Sequence, residues 1–183
     1  MGNFVRQFKS TFSSQKKVWT QLAHDIKAEY IDNGFFKAHI ITKSYEWGSI
    51  KLDSFNKRRG NNSVTFTRFQ ADCSNPKKIE FIIKRSNFFN KKAPKGLEFT
   101  LTDYSEFDRK FRLFVSNKRE IKQVLDRKII RNIVEQQPFN DIKIDLKENN
   151  LELHISSLNK DIEQLKSLFI LMESLHNQID FDI

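Results

Sequence analysis

Ile142-Lys143-Ile144-Asp145-Leu146-Lys147-Glu148-Asn149-Asn150-Leu151-Glu152-Leu153-His154-Ile155 places an apolar residue at every second position on either side of an asparagine pair. A period of two sends successive side chains to opposite faces of a strand, so this segment has one apolar and one charged face. Asparagine tolerates positive φ better than most residues, which predicts a tight hairpin at Asn149-Asn150. One wet face and one dry face suit an antiparallel sheet packed on one side only.

The flanks supply the packing. Downstream, Ile162, Leu165, Leu168, Phe169, Met172 and Leu175 recur at helical spacing, predicting a helix over about 160–178. Upstream, Ile121, Val124, Leu125, Ile129, Ile133 and Val134 form another stripe, opened by Asn117 as a cap with Glu120 three residues on, and limited by Pro138. Before that lie short runs rich in β-branched or aromatic residues: 39–42, 50–53, 64–67, 79–84, 97–101 and 111–115. In 97–101, Leu97, Phe99 and Leu101 alternate with Glu98 and Thr100, as in a strand with one wet face.

Phe4, Phe8 and Phe12, then Val18, Trp19, Leu22 and Ile26, make an amphipathic helical segment that Ser13-Ser14 could divide and Asn33-Gly34 would end. The expected fold is α+β: an N-terminal helix, a mainly antiparallel sheet of about six to eight strands, a helix, a hairpin and a C-terminal helix. Residues 1–183 read as a single domain, with 1–32 as a helical segment that could be appended to it. A pleckstrin-like or otherwise curved sheet fits the pattern.

Composition narrows the function. The formal net charge is +9, and residues 1–100 hold 19 Lys+Arg against 8 Asp+Glu while 101–183 hold 13 against 15. Such asymmetry speaks of partners rather than of fold. Lys, Ile, Phe and Asn together make 74 of 183 residues, so an AT-rich coding bias competes as the source of the lysines. No apolar run reaches the roughly 18–20 residues of a membrane span. No signal peptide is expected, and Arg6 replaces the Ser or Thr that a myristoylation motif at Gly2 would want. Cys73 is the single cysteine, which excludes an intramolecular disulfide and suits a reducing, cytoplasmic setting, with peripheral attachment to a membrane as an option.

No phosphate-binding glycine loop, zinc-protease motif or nucleophile elbow is present. His24, His39, His154 and His176 fall on four separate elements, and His154 reads as a surface histidine beside Glu152. No cofactor and no metal are expected. Asp103, Glu106 and Asp108 could form a carboxylate pair for acid–base work or hold a divalent cation, which is the enzymatic alternative; turn-making in a loop anchored by Phe107 and Phe111 competes with it. Phe107-Asp108-Arg109-Lys110-Phe111, followed by a strand and a helix, resembles uncharacterised bacterial domain families over about residues 103–134. The resemblance implies no activity and no functional residue.

The segment that asks for a partner is Asn87-Phe88-Phe89-Asn90-Lys91-Lys92-Ala93-Pro94-Lys95, where paired aromatics run into lysines. If residues 50–101 form a meander, this loop and Lys57-Arg58-Arg59-Gly60-Asn61-Asn62 share one end of the sheet. The expected binding patch is Lys57, Arg58, Arg59, Arg85, Phe88, Phe89, Lys91, Lys92 and Lys95. Its partner would be an anionic surface such as lipid headgroups, or a protein; nucleic acid bound through the same patch is the alternative. Phe88 and Phe89 folding back under their own loop is the competing structural use.

Overall fold

The computed structural model describes residues 2–34, 38–60, 62–86, 92–138, 142–156 and 159–180, with side chains from residue 14 onward except those of residues 59 and 62. Along the chain run α1 (Gly2–Asp25), β1 (Glu29–Ile31), β2 (Ile40–Tyr45), β3 (Gly48–Arg59), β4 (Asn62–Asp72), β5 (Phe81–Arg85) and β6 (Glu98–Thr100). Then follow α2 (Ser105–Lys110), β7 (Phe111–Val115), α3 (Lys118–Asp126), α4 (Lys128–Gln136), β8 (Ile142–Lys147), β9 (Asn150–Ile155) and α5 (Ile162–Asp180). The fold is α+β, with one antiparallel sheet of nine strands among the described residues, more than the six to eight expected.

The strand order is β1-β2-β3-β4-β9-β8-β5-β7-β6. A plain meander through residues 50–101 is therefore corrected: the C-terminal hairpin β8–β9 enters between β4 and β5 and pairs with both. Its alternation explains the choice. Ile142, Ile144, Leu146, Leu151, Leu153 and Ile155 are all buried on one face, and a strand so uniformly apolar gains most in the middle of a sheet.

The helices cover that face. Leu165, Leu168, Phe169, Met172 and Leu175 of α5 lie in the core, with the Phe169 ring edge-on to Phe69 at 5.1 Å. Trp19 and Leu22 of α1 are fully buried beside them. Ile121, Val124 and Leu125 of α3 and Ile130 and Val134 of α4 close the other half. Asn117 caps α3 as expected, its Oδ1 accepting from the Arg119 N–H at 3.0 Å.

Several local expectations change. The hairpin turn is Glu148-Asn149, one residue earlier than expected, and Glu148 carries the positive φ of 54°. Tertiary bonds fix it there: the Cys73 N–H donates to the Asn149 carbonyl at 2.7 Å, and the Asn75 amide to the Glu148 carbonyl at 2.5 Å. α1 passes unbroken through Ser13-Ser14 and ends at Asp25, where Lys27 takes the left-handed position; Asn33-Gly34 instead turns the chain after β1. The expected single helix over 117–134 is two, because Arg127 adopts extended backbone. The break puts Ile130 in the core and leaves Ile129 49% exposed. In β6 the alternation is inverted: Phe99 pairs with Phe114 on the face without helices, where its ring meets Phe114 edge-on at 6.0 Å.

Candidate functional site

β3 and β4 are the longest strands, and they outrun their neighbours. The last β2 pair is Ile41 with Leu52, and the last β9 pair is Thr67 with Ile155. Beyond these, Phe55 to Arg59 and Asn62 to Phe66 pair only with each other among the described residues. Five residues past Thr67 amount to a two-stranded arm of about 17 Å. Gly60, at φ +60°, permits the tight reversal at its tip, so Lys57 and Arg58 belong to a strand rather than to the loop expected from sequence.

The arm has a firm root and a basic tip. At the root, Phe55 stacks on Phe66 at 5.4 Å, and the Arg68 guanidinium lies 5.0 Å from the Phe55 ring. Arg68 also donates twice to the Asp53 carboxylate, at 2.9 and 2.7 Å, a bidentate pair that fixes both strands. Farther out, Thr65 donates to Asn56 at 2.7 Å. Lys57 and Arg58 then stand exposed, with no ion-pair partner among the described residues.

The nine residues of the expected patch are distributed. Arg59 pairs through its backbone with Asn62, beside Lys57 and Arg58. Arg85 ends β5 at the same end of the sheet, but β4, β9 and β8 lie between it and β3, a separation of about 19 Å in the plane of the sheet. Its guanidinium lies 5.3 Å from the Phe111 ring and donates to the Gln137 carbonyl at 3.2 Å, a use within the domain. Lys92 and Lys95 are exposed. Lys95 precedes Glu98, which pairs with Val115 at the end of the sheet opposite Arg85. Phe88, Phe89 and Lys91 lie outside the described residues, as do the side chains of Phe4, Phe8 and Phe12.

The acidic segment does not converge. Asp103 pairs with Lys122, Glu106 with Arg109 at 2.6 Å, and Asp108 accepts from the Thr102 N–H and hydroxyl at 3.0 Å. Phe107 and Phe111 anchor it as expected, both buried with rings 5.2 Å apart. A cavity of about 160 Å³ nearby is lined by Leu101, Thr102, Asp103, Tyr104, Lys118 and Lys122 among others, and takes in only the first of the three carboxylates.

Two groups of metal-type side chains do meet. Cys73, His176 and Asp180 lie together beneath Trp47, whose ring stacks on His176 at 3.5 Å. Burial, then the fields of Asp180 and Asp72, push the Cys73 thiol up to about 12, so it is neither thiolate nor nucleophile at neutral pH. Asp180 is already occupied by the Ser74 N–H and hydroxyl and the Asn75 N–H. The second group is Asp145, Glu152 and His154 on the helix-free face, near the root of the arm. His154 is there a half-covered group rather than a free surface residue, its side chain 20% exposed and its ring edge-on to Phe55 at 5.4 Å. Burial holds its pKa below the usual value, against the opposing fields of Glu152 and Asp145. Sequence alternation assigns all three to one face, but the β8–β9 register that joins them follows from a turn placed by Cys73 and Asn75.

The fold and the arm thus define a two-layer α+β domain with a projecting basic ribbon. No family model matches the sequence, and no curated protein does. Among solved structures, the crystal structure of the mycobacterial trehalose monomycolate transport factor A is similar, with a TM-score of 0.57 over 93% of this chain and 97% of that one. Identity is 6%, so the likeness is one of fold. No helix among the described residues is long and apolar enough to cross a membrane.

Proposed function

We propose that this chain is a non-enzymatic binding module that docks on an anionic lipid surface through the β3–β4 arm. The observation that carries the reading is the arm itself: a rooted ribbon whose tip presents Lys57 and Arg58 without counter-ions among the described residues. Arg59 adds to the charge of the arm, and Phe88, Phe89, Lys91 and Lys92 are carried from the sequence alone as further charge and insertion residues. Each lysine or arginine close to an anionic leaflet contributes roughly 1 kcal/mol. The structural neighbour, named for the transport of trehalose monomycolate, is consistent with a lipid-related role.

Co-sedimentation with phosphatidylserine–phosphatidylcholine vesicles at low salt tests this. The wild type is expected to pellet, and Lys57→Glu with Arg58→Glu to lose affinity by roughly fivefold or more per residue. Equal binding to neutral vesicles, or no binding to charged ones, sinks the proposal. A two-stranded ribbon also fits the DNA major groove. Duplex DNA binding whose salt dependence is reduced by the same substitutions, without vesicle binding, moves the assignment to nucleic acid.

A further inference from the structure

We propose that Asp145, Glu152 and His154 form a binding site for a divalent transition-metal ion of the zinc class, on the helix-free face of the sheet. The inference is independent of the proposed lipid contact. Asp145 on β8 stands directly opposite Glu152 on β9, and His154 is two residues further along the same face of β9. Like charges directly across an antiparallel pair are destabilising, and a bound dication reverses that cost.

Glu152 Oε1 is occupied, accepting from the Gln70 amide at 2.7 Å and the Asn150 amide at 3.1 Å, and Asp145 Oδ2 pairs with Lys143 at 2.9 Å. Among the described residues, the buried atoms Asp145 Oδ1 and His154 Nε2 have no well-aligned hydrogen-bond partner. His154 Nε2 lies 3.0 Å from Glu152 Oε2 but not in hydrogen-bonding alignment. Two ligand atoms held at about 2.0–2.1 Å from one ion, at 90–110° to each other, are separated by about 2.9–3.4 Å. The His154–Glu152 separation therefore also fits two ligands of one ion. One ligand atom from each of the three residues lies within 4.8 Å of the others, so small side-chain movements bring the three onto one ion.

One imidazole nitrogen and two carboxylate oxygens suit zinc or manganese better than magnesium or calcium. Three strand-borne ligands leave a coordination position for water. The outer bonds from Gln70 and Asn150 orient Glu152 as supporting residues orient metal carboxylates. Among the described residues, Lys143 is the cation that must give way, and its side chain is 41% exposed. Arg68, opposite His154, is held by Asp53.

Cobalt(II) titration of the EDTA-treated full chain, followed by visible d–d absorption and reversed by zinc, tests the site. One equivalent is expected to bind and zinc to displace it. His154→Gln and Asp145→Asn, one on each strand and each checked for folding by circular dichroism, should abolish the absorption, and Gln70→Ala should weaken binding by roughly 10–100-fold. The absence of saturable binding in the wild type overturns the proposal. So does binding that survives both ligand variants and disappears in Cys73→Ser, which locates the ion at the buried Cys73–His176–Asp180 group.

Discussion

Two hairpins of the same sheet are put to opposite uses. β8–β9 is flanked on both sides, by β5 and β4, and buries every apolar residue of one face in the core. The outer half of β3–β4 has no strand neighbour on either edge among the described residues, and its polar tip carries the exposed Lys57 and Arg58. Unpaired edges invite association, and charged residues on them are a common defence against indiscriminate pairing. The difference teaches that strand length and burial are separate decisions: the hairpin that pairs least is the longer of the two.

The largest way to break this contrast is to cut into the inner hairpin. Leu153 is fully buried on β9, and Leu153→Ala removes packing that nothing nearby can replace. A loss of about 2–5 kcal/mol is expected in urea unfolding followed by circular dichroism. A loss well under 1 kcal/mol would mean that β9 does not sit at the centre of the core.

That hairpin was also the most legible part of the sequence, because alternation, a turn signal and the following helix all agree. Its position was not. Nothing in residues 142–155 states that they insert between β4 and β5, since partner choice among apolar strands depends on the three-dimensional register. The three-residue strands β1 and β6 have too few positions to declare a period, and the apolar side of β6 meets Phe114 rather than the helices. The arm was readable as a basic cluster but not as an arm, because its overhang is defined by where β2 and β9 stop. The Asp145, Glu152 and His154 group was visible residue by residue, yet its convergence required the Lys147–Asn150 closure.

A smaller effect separates the two faces of the inner hairpin by pH. Burial keeps His154 neutral in the folded chain below its ordinary value of 6.5, with Glu152, Asp145, Lys143 and Arg68 around it. As pH falls through 6.5 the unfolded chain takes up a proton at this position before the folded chain does. Stability then falls with falling pH, by at most about 1.4 kcal/mol per unit for one group, and ceases to fall below the folded pKa. The difference in unfolding free energy between wild type and His154→Gln, measured in EDTA from pH 7.5 to 5, should shift against the wild type. A difference constant across that range would show that the imidazole is solvated.

The smallest expected effect falls on the arm, and it makes the sharpest contrast with Leu153→Ala. Lys57→Ser with Arg58→Ser removes two exposed side chains that make no ion pair among the described residues, from strands whose root is fixed independently by the Arg68–Asp53 pair and the Phe55–Phe66 stack. Surface changes of this kind stay within about 0.5 kcal/mol. The variant should therefore unfold at the wild-type urea midpoint while losing vesicle binding. A clear drop in the midpoint would show that the two cations serve the fold, and the arm would then be an ordinary hairpin rather than a docking element.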